Sequence, residues 1–89
     1  MTVEVTYLRR VGKKRSRHMR AIFSVRLNET PSTGLTLRCL YLMGDDKAGW
    51  WLGCPGQKSD AVFEPYITFS RDLRDAIVEA ALGKYRGSR

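Results

Sequence analysis

Apolar and polar residues alternate along the first third of the chain, the pattern of β-strands that bury one face. The alternation predicts a first strand over residues 3–11. A second strand over residues 19–27 has the clearest pattern, because every second residue from Met19 to Leu27 is apolar. A short connection that starts at Gly12 joins the two segments, so we expect them to pair as an antiparallel hairpin.

The polar positions of this hairpin are rich in arginine. Arg20 and Arg26 fall between the apolar residues of the second strand, and Arg9 and Arg10 lie near the end of the first. In a paired hairpin, Arg9 or Arg10 would share a face with Arg20 and Arg26. The sequence does not fix the register of the two strands, so both remain candidates.

A third strand over residues 35–43 alternates at first and then becomes apolar on both faces. Leu40 and Leu42 occupy positions where polar residues are expected. Such a segment is typical of a central strand, or of a strand covered by a helix or by a partner subunit.

Two shorter extended segments precede the helix. The sequence predicts a strand over residues 50–54, a polar loop over residues 57–60 and an extended segment over residues 61–69. Pro65 lacks a backbone N–H, which places the last segment at a sheet edge or in an irregular connection.

A helix is predicted over residues 70–85, where apolar residues recur three and four positions apart. The Ser70 hydroxyl would cap the first turn, and Asp72 would lie near the positive end of the helix dipole. The apolar sector is wide enough to contact both the sheet and a second chain. The candidates for a dimer interface are Leu40, Leu42, Val78, Leu82 and Tyr85.

These elements predict a single α+β domain, in which an antiparallel sheet of about five strands precedes a C-terminal α-helix. The 89 residues divide into a hairpin with its basic loop (1–27), the remaining strands (35–69) and the helix (70–85). A chain of this length buries only about 60–65% of its unfolded surface. A homodimer would be a natural way to bury more.

The composition is that of a folded protein, with 43% hydrophobic and 28% charged residues. No apolar run approaches the ~20 residues that a membrane span needs. The first ten residues also lack the basic flank and apolar block of a signal peptide. We therefore expect a soluble cytoplasmic protein that does not interact with membranes.

The net charge of +7 arises entirely in the first part of the chain. Residues 1–26 hold eight Lys or Arg and one acidic residue, whereas residues 27–89 hold eight of each sign. The density is highest in GKKRSRHMR (12–20). Because clustered like charges repel one another, their presence favours a polyanionic partner such as nucleic acid. The alternative is a solvated turn that happens to be basic.

The remaining polar residues give little support for an enzyme or a cofactor. Cys39 and Cys54 lack a CxxC spacing, and with His18 as the only histidine they cannot supply a usual zinc site. We expect both cysteines to be half-buried thiols on strands. Neither a G-x-S-x-G motif nor a phosphate-binding glycine loop occurs. We therefore expect no catalytic residue, metal, cofactor or small-molecule substrate.

In this order the segments resemble the bacterial SpoVG family, named for stage V sporulation protein G. The similar stretches are VTYLRRV (5–11), MRAIFSVRL (19–27), GLTLRCLYLM (34–43), WLGCPGQK (51–58) and ITFSRDLRDAIVEAALGKY (67–85). Each motif is short, and the specificity lies in their order along nearly the whole chain.

The resemblance implies a small α+β domain that dimerises and binds DNA, and in some members RNA. Such proteins regulate bacterial gene expression, septation and sporulation. Arg9, Arg10 and Arg20 match positions of the family pattern. The resemblance also implies nucleic-acid contact by the segment after Pro55, where Lys58 is the basic residue present here. The loop of the first hairpin is longer and more basic than the family's usual turn.

We therefore predict that a dimer binds nucleic acid through the basic first hairpin, with little sequence preference. Basic side chains would neutralise phosphates and release counterions. Two arginines in the first turn of the helix are a second candidate surface, although interleaved acids also fit a solvated face of mixed charge. The predicted contact residues are Arg9, Arg10, Lys13, Lys14, Arg15, Arg17, Arg20, Arg26, Lys58, Arg71 and Arg74.

Trp50 and Trp51 leave two interpretations open. Adjacent residues of a strand point to opposite faces. One tryptophan would lie under the helix, and the other would either form a dimer contact or stack on a base of a single strand. A second class of function also stays open, a protein-interaction module whose apolar faces are docking surfaces and which has no nucleic-acid role.

Overall fold

Four strands form one antiparallel sheet in the order β1-β2-β3-β4, and a C-terminal helix covers one of its faces. The computed structural model describes residues 2–12, 18–30, 33–59, 62–65 and 67–87. The strands of this sheet are β1 (Thr2–Arg10), β2 (Met19–Thr30), β3 (Thr33–Asp45) and β4 (Gly49–Gly53). The helix α1 is Arg71–Gly87. The predicted α+β fold is confirmed.

The predicted fifth strand belongs instead to a separate two-stranded sheet. β5 (Gly56–Ser59) pairs with β6 (Val62–Pro65), so the segment predicted as a polar loop is also a strand. Pro65 ends this ladder opposite Gly56, where its missing N–H is tolerated. The prediction of a single sheet was wrong here because β5 carries no apolar alternation that would reveal it.

The core lies between the sheet and α1. Its largest fully buried side chains include Phe23, Leu40, Leu42 and Ile77, which come from the two central strands and the helix. Burial of each such side chain stabilises the fold by about 1.5–3 kcal/mol. The helix makes most of its contacts with β1 and β4, and it covers the buried side chains of β2 and β3 that lie between these two strands.

Leu40 and Leu42 belong to this core, and the predicted dimer contact at these two residues was wrong. They pair with Phe23 and Ala21, and they are 1% and 0% exposed. β3 is a central strand covered by the helix, which is one of the arrangements that its apolar pattern predicts. A second chain could reach these leucines only by displacing α1.

An irregularity in β1 changes which residues share a face. Val5 pairs with Val25 and Tyr7 pairs with Ser24, so Thr6 is an extra residue. A β-bulge of this kind shifts the alternation by one position. Tyr7 consequently faces away from the helix, although simple alternation places it on the same face as Val5.

A second irregularity lies in the middle of β3. Two residues separate Leu37 from Leu40, whereas a single residue separates their partners on β2. Cys39 at this position has a φ of 61°, a left-handed conformation that non-glycine residues rarely adopt. Its side chain is exposed rather than half-buried as predicted, whereas Cys54 is half-buried.

The helix begins where the sequence predicts. The Ser70 hydroxyl accepts a hydrogen bond from the Leu73 amide at 3.4 Å, which is the expected N-terminal cap. Ile77 and Ala81 are buried against the sheet. The helix residues predicted for a dimer contact, Val78, Leu82 and Tyr85, are half-buried and pack against the same core.

No helix in the described part of the chain is long and apolar enough to cross a membrane.

Candidate nucleic-acid interface

The sheet face opposite α1 is solvent-facing and combines basic with aromatic residues. Residues that pair across neighbouring strands lie on the same face of a sheet. Since Phe23 and Val25 face the helix, the residues that alternate with them, and the partners of those residues, face away. This surface, which we call the open face, comprises Glu4, Tyr7, Arg9, Ile22, Ser24, Arg26, Thr36, Tyr41, Met43 and Trp51.

Two exposed arginines lie on the open face. Arg9 is opposite Ile22, and Arg26 lies between Glu4 on β1 and Thr36 on β3. Glu4 is the acidic member of the open face, so the two arginines leave this surface positive. Exposed Arg38 at the β3 bulge adds a third cation beside it.

The backbone around Arg26 leaves room for its guanidinium. Arg26 Nε donates a hydrogen bond to Asn28 Oδ1 at 3.2 Å. A Cβ at Gly34, opposite Asn28, would lie 2.6 Å from that oxygen and 3.1 Å from Arg26 Nε. The glycine therefore admits this pair, which uses one of the five N–H donors of the guanidinium.

Aromatic side chains complete the open face. Tyr7 and Trp51 are 53% and 40% exposed, and Tyr41 is half-buried. The ring centroid of Trp51 lies 5.9 Å from that of His18, with 47° between the planes. Exposed rings on a sheet surface are the kind of platform on which bases of single strands stack.

Trp50 has the opposite environment. It pairs with Gly44 on the helix side of the sheet, and its ring centroid lies 5.7 Å from that of Tyr85. The prediction that the two neighbouring tryptophans face opposite sides, one of them under the helix, is confirmed.

Arg10 and Arg20 make contacts with the helix and with the end of β3 rather than lying on the open face, although Arg10 is exposed and Arg20 is half-buried. Arg10 pairs with Ala21 on the helix side, where its guanidinium carbon lies 4.0 Å from the Tyr85 ring centroid. It also donates a hydrogen bond to the Tyr85 backbone carbonyl. Arg20 Nε donates to the Gly44 carbonyl at 2.8 Å. The register therefore places Arg9, and not Arg10, on the same face of the sheet as Arg26.

An open groove of about 760 Å³ lies beside these two arginines, at the end of the sheet. Asp46, one of its lining residues, accepts hydrogen bonds from Trp50 Nε1 at 3.1 Å and from Arg86 at 3.0 Å. These contacts join the β3–β4 turn to the C-terminal part of α1. Exposed polar contacts thus connect the helix to the sheet beside this groove.

Asp45 holds the turn at the edge of this groove. Its Oδ1 accepts hydrogen bonds from the amides of Ala48 at 2.6 Å and Lys47 at 2.9 Å, and Oδ2 lies 3.9 Å from Arg20. The Ala48 amide is the main cause that lowers the pKa of Asp45, against an opposing effect of desolvation. The Lys47 amide and the Arg20 charge lower this pKa further.

The densest part of the predicted site, Lys13, Lys14, Arg15 and Arg17, lies outside the described residues, as does the side chain of Lys58. The residues on either side of the basic segment are described. Gly12 lines the groove at the end of the sheet, and His18 lies beside Trp51. Both flanks of the segment are therefore close to one end of the open face.

The two helix arginines of the predicted site differ in their surroundings. Both Arg71 and Arg74 are exposed. Arg74 lines a second groove together with Tyr41 and Met43 of the open face, whereas Arg71 is absent from the lining of both grooves described.

Sequence reasoning missed Tyr7 and Tyr41 as members of the site. Alternation places Tyr7 in the core with Val3 and Val5, and the bulge at Thr6 reverses that placement. One signal was present in the sequence, because Leu8 is apolar where the alternation requires a polar residue. Such a break in phase is the mark of a bulge.

Comparisons with known proteins identify no relative. The sequence matches no protein-family model, no curated protein and no solved structure. The resemblance to the SpoVG family therefore stays a prediction. Within the described residues, no group of three or more Cys, His, Asp or Glu could hold a metal ion.

Proposed function

We propose that this protein binds single-stranded nucleic acid, RNA or DNA, across the open face and the adjoining basic segment. The observation that carries the proposal is the presence of exposed Tyr7 and Trp51 with Arg9 and Arg26 on one solvent-facing sheet surface. The rings would stack on bases, and the arginines would pair with phosphates.

A single strand suits this surface better than a duplex does. Bases of a single strand can be splayed out onto aromatic rings, whereas those of a duplex are stacked on one another. Each stacked base contributes about 1–3 kcal/mol. Tyr7 on β1 and Trp51 on β4 are three strand spacings of roughly 4.8 Å apart across the sheet. A strand that contacts both would therefore cross all four strands.

The basic segment supplies the long-range part of the attraction in this proposal. For single strands, each neutralised phosphate makes the log–log dependence of affinity on salt steeper by about 0.7. Arg9 and Arg26 with Lys13, Lys14, Arg15 and Arg17 would together give a slope of about −4.

Fluorescence titrations test the open face. The wild type and an Arg9→Ala/Arg26→Ala variant are titrated with single-stranded RNA, single-stranded DNA and duplex DNA, each at two salt concentrations. We expect the variant to bind single strands more weakly, with a salt slope shallower by about 1.4. The control, Lys47→Ala/Lys84→Ala, removes the same charge from exposed positions outside the open face and should keep the wild-type slope.

Trp51→Ala separates stacking from charge. It removes an exposed ring and leaves every arginine, so we expect a loss of about 1–3 kcal/mol on single strands with an unchanged salt slope. The fluorescence quenching should disappear with Trp51, because Trp50 lies on the helix side. Equal affinity of wild type and Trp51→Ala for single strands would contradict the proposal that a base stacks on Trp51.

Neutralising Lys13, Lys14, Arg15 and Arg17 together tests the basic segment. We expect the quadruple variant to remain folded and to bind every nucleic acid more weakly, with the slope on single strands shallower by about 2.8. Unchanged binding in a mobility-shift assay would remove these four residues from the site.

We also propose that the protein acts as a dimer in the cytoplasm and regulates bacterial gene expression, as the SpoVG resemblance implies. Val78→Glu and Leu82→Glu test the helix, since both side chains are only half-buried by the core and a second chain could cover the remainder. A sedimentation profile shifted towards the monomer supports a helix interface. If both variants remain dimers, the edge of β1 is the better candidate, because an edge strand leaves backbone groups unpaired.

A protein-interaction module is the second candidate function. Leu35, Val62 and Phe63 are 56%, 59% and 54% exposed, which favours contacts with an apolar partner. Binding through these residues would respond little to salt, whereas phosphate contacts weaken steeply as salt increases. The two-salt titration therefore separates the two functions.

A further inference from the structure

A groove lies between the sheet, the β5–β6 hairpin and the start of α1, where it adjoins the open face. Its volume is about 530 Å³, within the usual range for small-ligand sites. The lining is mostly apolar and includes Met19, Tyr41, Met43, Phe63 and Ile67. A mainly apolar concavity with one or two polar groups is the usual form of such a site.

The groove continues from the open face. Tyr41 and Met43 belong to both surfaces, and Trp51 is the partner of Met43 on β4. The missing side chain at Gly53 leaves space at this point, because a Cβ there would lie 3.1 Å from Met43 Cγ and from Tyr41 Cβ. A strand that stacks on Trp51 would thus lie next to the groove.

Arg74 is the charged residue among the described residues that line this groove. It is exposed, and its guanidinium makes no hydrogen bond or ion pair with any other described residue. Burial raises the pKa of the half-buried Cys54 thiol, and the nearby Arg74 charge opposes this rise. One available cation beside an apolar slot matches a ligand that has a flat apolar part and one anionic group.

We propose that the groove holds one terminal base of a strand bound on the open face, with Arg74 on the adjacent phosphate. This inference rests on the proposed function and adds a defined end to it. Methionine and aromatic side chains suit a planar heterocycle because thioethers and rings both make favourable contacts with aromatic faces. The single cation gives the phosphate one partner.

The three isoleucines of the chain report on three separate places. Ile22 lies on the open face, Ile67 lines the groove and Ile77 is buried in the core. The full chain, labelled at the isoleucine methyl groups, is titrated with a five-nucleotide single strand and followed by NMR. We expect the Ile22 and Ile67 resonances to shift and the Ile77 resonance to stay in place.

Abasic oligonucleotides locate the base. A five-nucleotide strand with an abasic nucleotide at one particular end should still shift Ile22 but no longer shift Ile67. The same change at the other end should leave both shifts intact. If Ile67 shifts equally with both abasic strands, no base occupies the groove and the proposal is overturned.

Arg74→Ala and Lys84→Ala each remove one exposed cation from the same helix, and Lys84 is absent from the lining of this groove. We expect Arg74→Ala to weaken binding about tenfold, as for the loss of one charged hydrogen bond, and to reduce the Ile67 shift. Lys84→Ala should bind as the wild type does, and an unchanged Ile77 resonance checks the fold of both variants. Equal binding by all three proteins overturns the role of Arg74.

The outcomes keep this inference apart from the function on which it rests. If Ile22 shifts and Ile67 does not, the open face binds nucleic acid and the groove does not hold a base. If neither resonance shifts with the unmodified strand, both the open-face proposal and the groove proposal fail.

Discussion

The two faces of the four-stranded sheet are built from the same strands but have opposite properties. The helix-covered face contains Phe23, Val25 and Leu42, each 0% exposed. The open face contains Tyr7 and Trp51, which are 53% and 40% exposed, together with two arginines. Buried apolar side chains are therefore concentrated on one face, and the opposite face presents exposed aromatic and basic side chains.

Arg9 and Arg10 show the difference at single-residue scale. They are adjacent in β1, and both were predicted to contact nucleic acid. Arg10 lies against Tyr85 of the helix, whereas Arg9 faces solvent and forms no hydrogen bond or ion pair with another described residue. Neighbours with the same charge therefore have different environments, because a strand presents them to opposite sides.

The largest expected effect is on the covered face. Phe23→Ala should lower the free energy of unfolding by about 3–5 kcal/mol, because it removes a fully buried ring and leaves a cavity. Tyr7→Ala on the open face should change it by less than about 0.5 kcal/mol. Urea or thermal unfolding measures both. Similar losses in the two variants would contradict the division between the faces.

A smaller effect separates the two neighbouring arginines. Arg10→Ala should cost about 1–2 kcal/mol of stability, since it removes the contact with the Tyr85 ring and the hydrogen bond to its carbonyl. Arg9→Ala should leave stability within about 0.5 kcal/mol of the wild type and weaken the binding of single strands. Denaturant unfolding and a nucleic-acid titration are carried out on both variants. A loss of stability in Arg9→Ala with a loss of binding in Arg10→Ala would refute this prediction.

The smallest expected effect concerns the pH dependence of the turn beside Arg20. The lowered pKa of Asp45 means that the unfolded chain binds more protons than the folded one near the ordinary value of 3.8. The stabilisation is fully present above this pH and is lost as the pH falls through the lowered folded pKa. Unfolding of wild type and Asp45→Asn is compared at several pH values below 5, at constant ionic strength.

The Asp45→Asn variant would keep an oxygen acceptor for the amides of Ala48 and Lys47 but would carry no charge at this position. We therefore expect its stability to depend less on pH in the acidic range than that of the wild type. Parallel curves for the two proteins would show that the Asp45 charge does not contribute.

Much of the fold follows from local patterns. Alternation from Met19 to Leu27 predicts β2 and its buried face, and the Ser70 cap with helical spacing predicts α1. β5 is the failure among the strands, because its residues GQKS have no apolar alternation. Its pairing with β6 depends on a partner strand that the local pattern does not show.

Much less of the candidate site could be predicted. Composition reveals an excess of cations, and the residues from Gly12 to Arg20 are its densest part. Which cations reach the open face depends on the register between β1 and β2. A slip of one residue exchanges the two faces of a strand. The position of the Arg20 guanidinium further depends on its hydrogen bond to the Gly44 carbonyl, 24 positions away in sequence.

The sequence by itself determined the helix, the main strands and the sign of the charge, because periodicity and composition are local properties of the chain. Only the tertiary structure decided that Arg9 faces solvent and Arg10 the helix, and that Tyr7 joins Trp51 on the open face. The physical reason is the bulge at Thr6 and the bulge at Cys39. Each inserts one residue and reverses the facing of the residues beyond it, and strand pairing and burial of the core fix where it occurs.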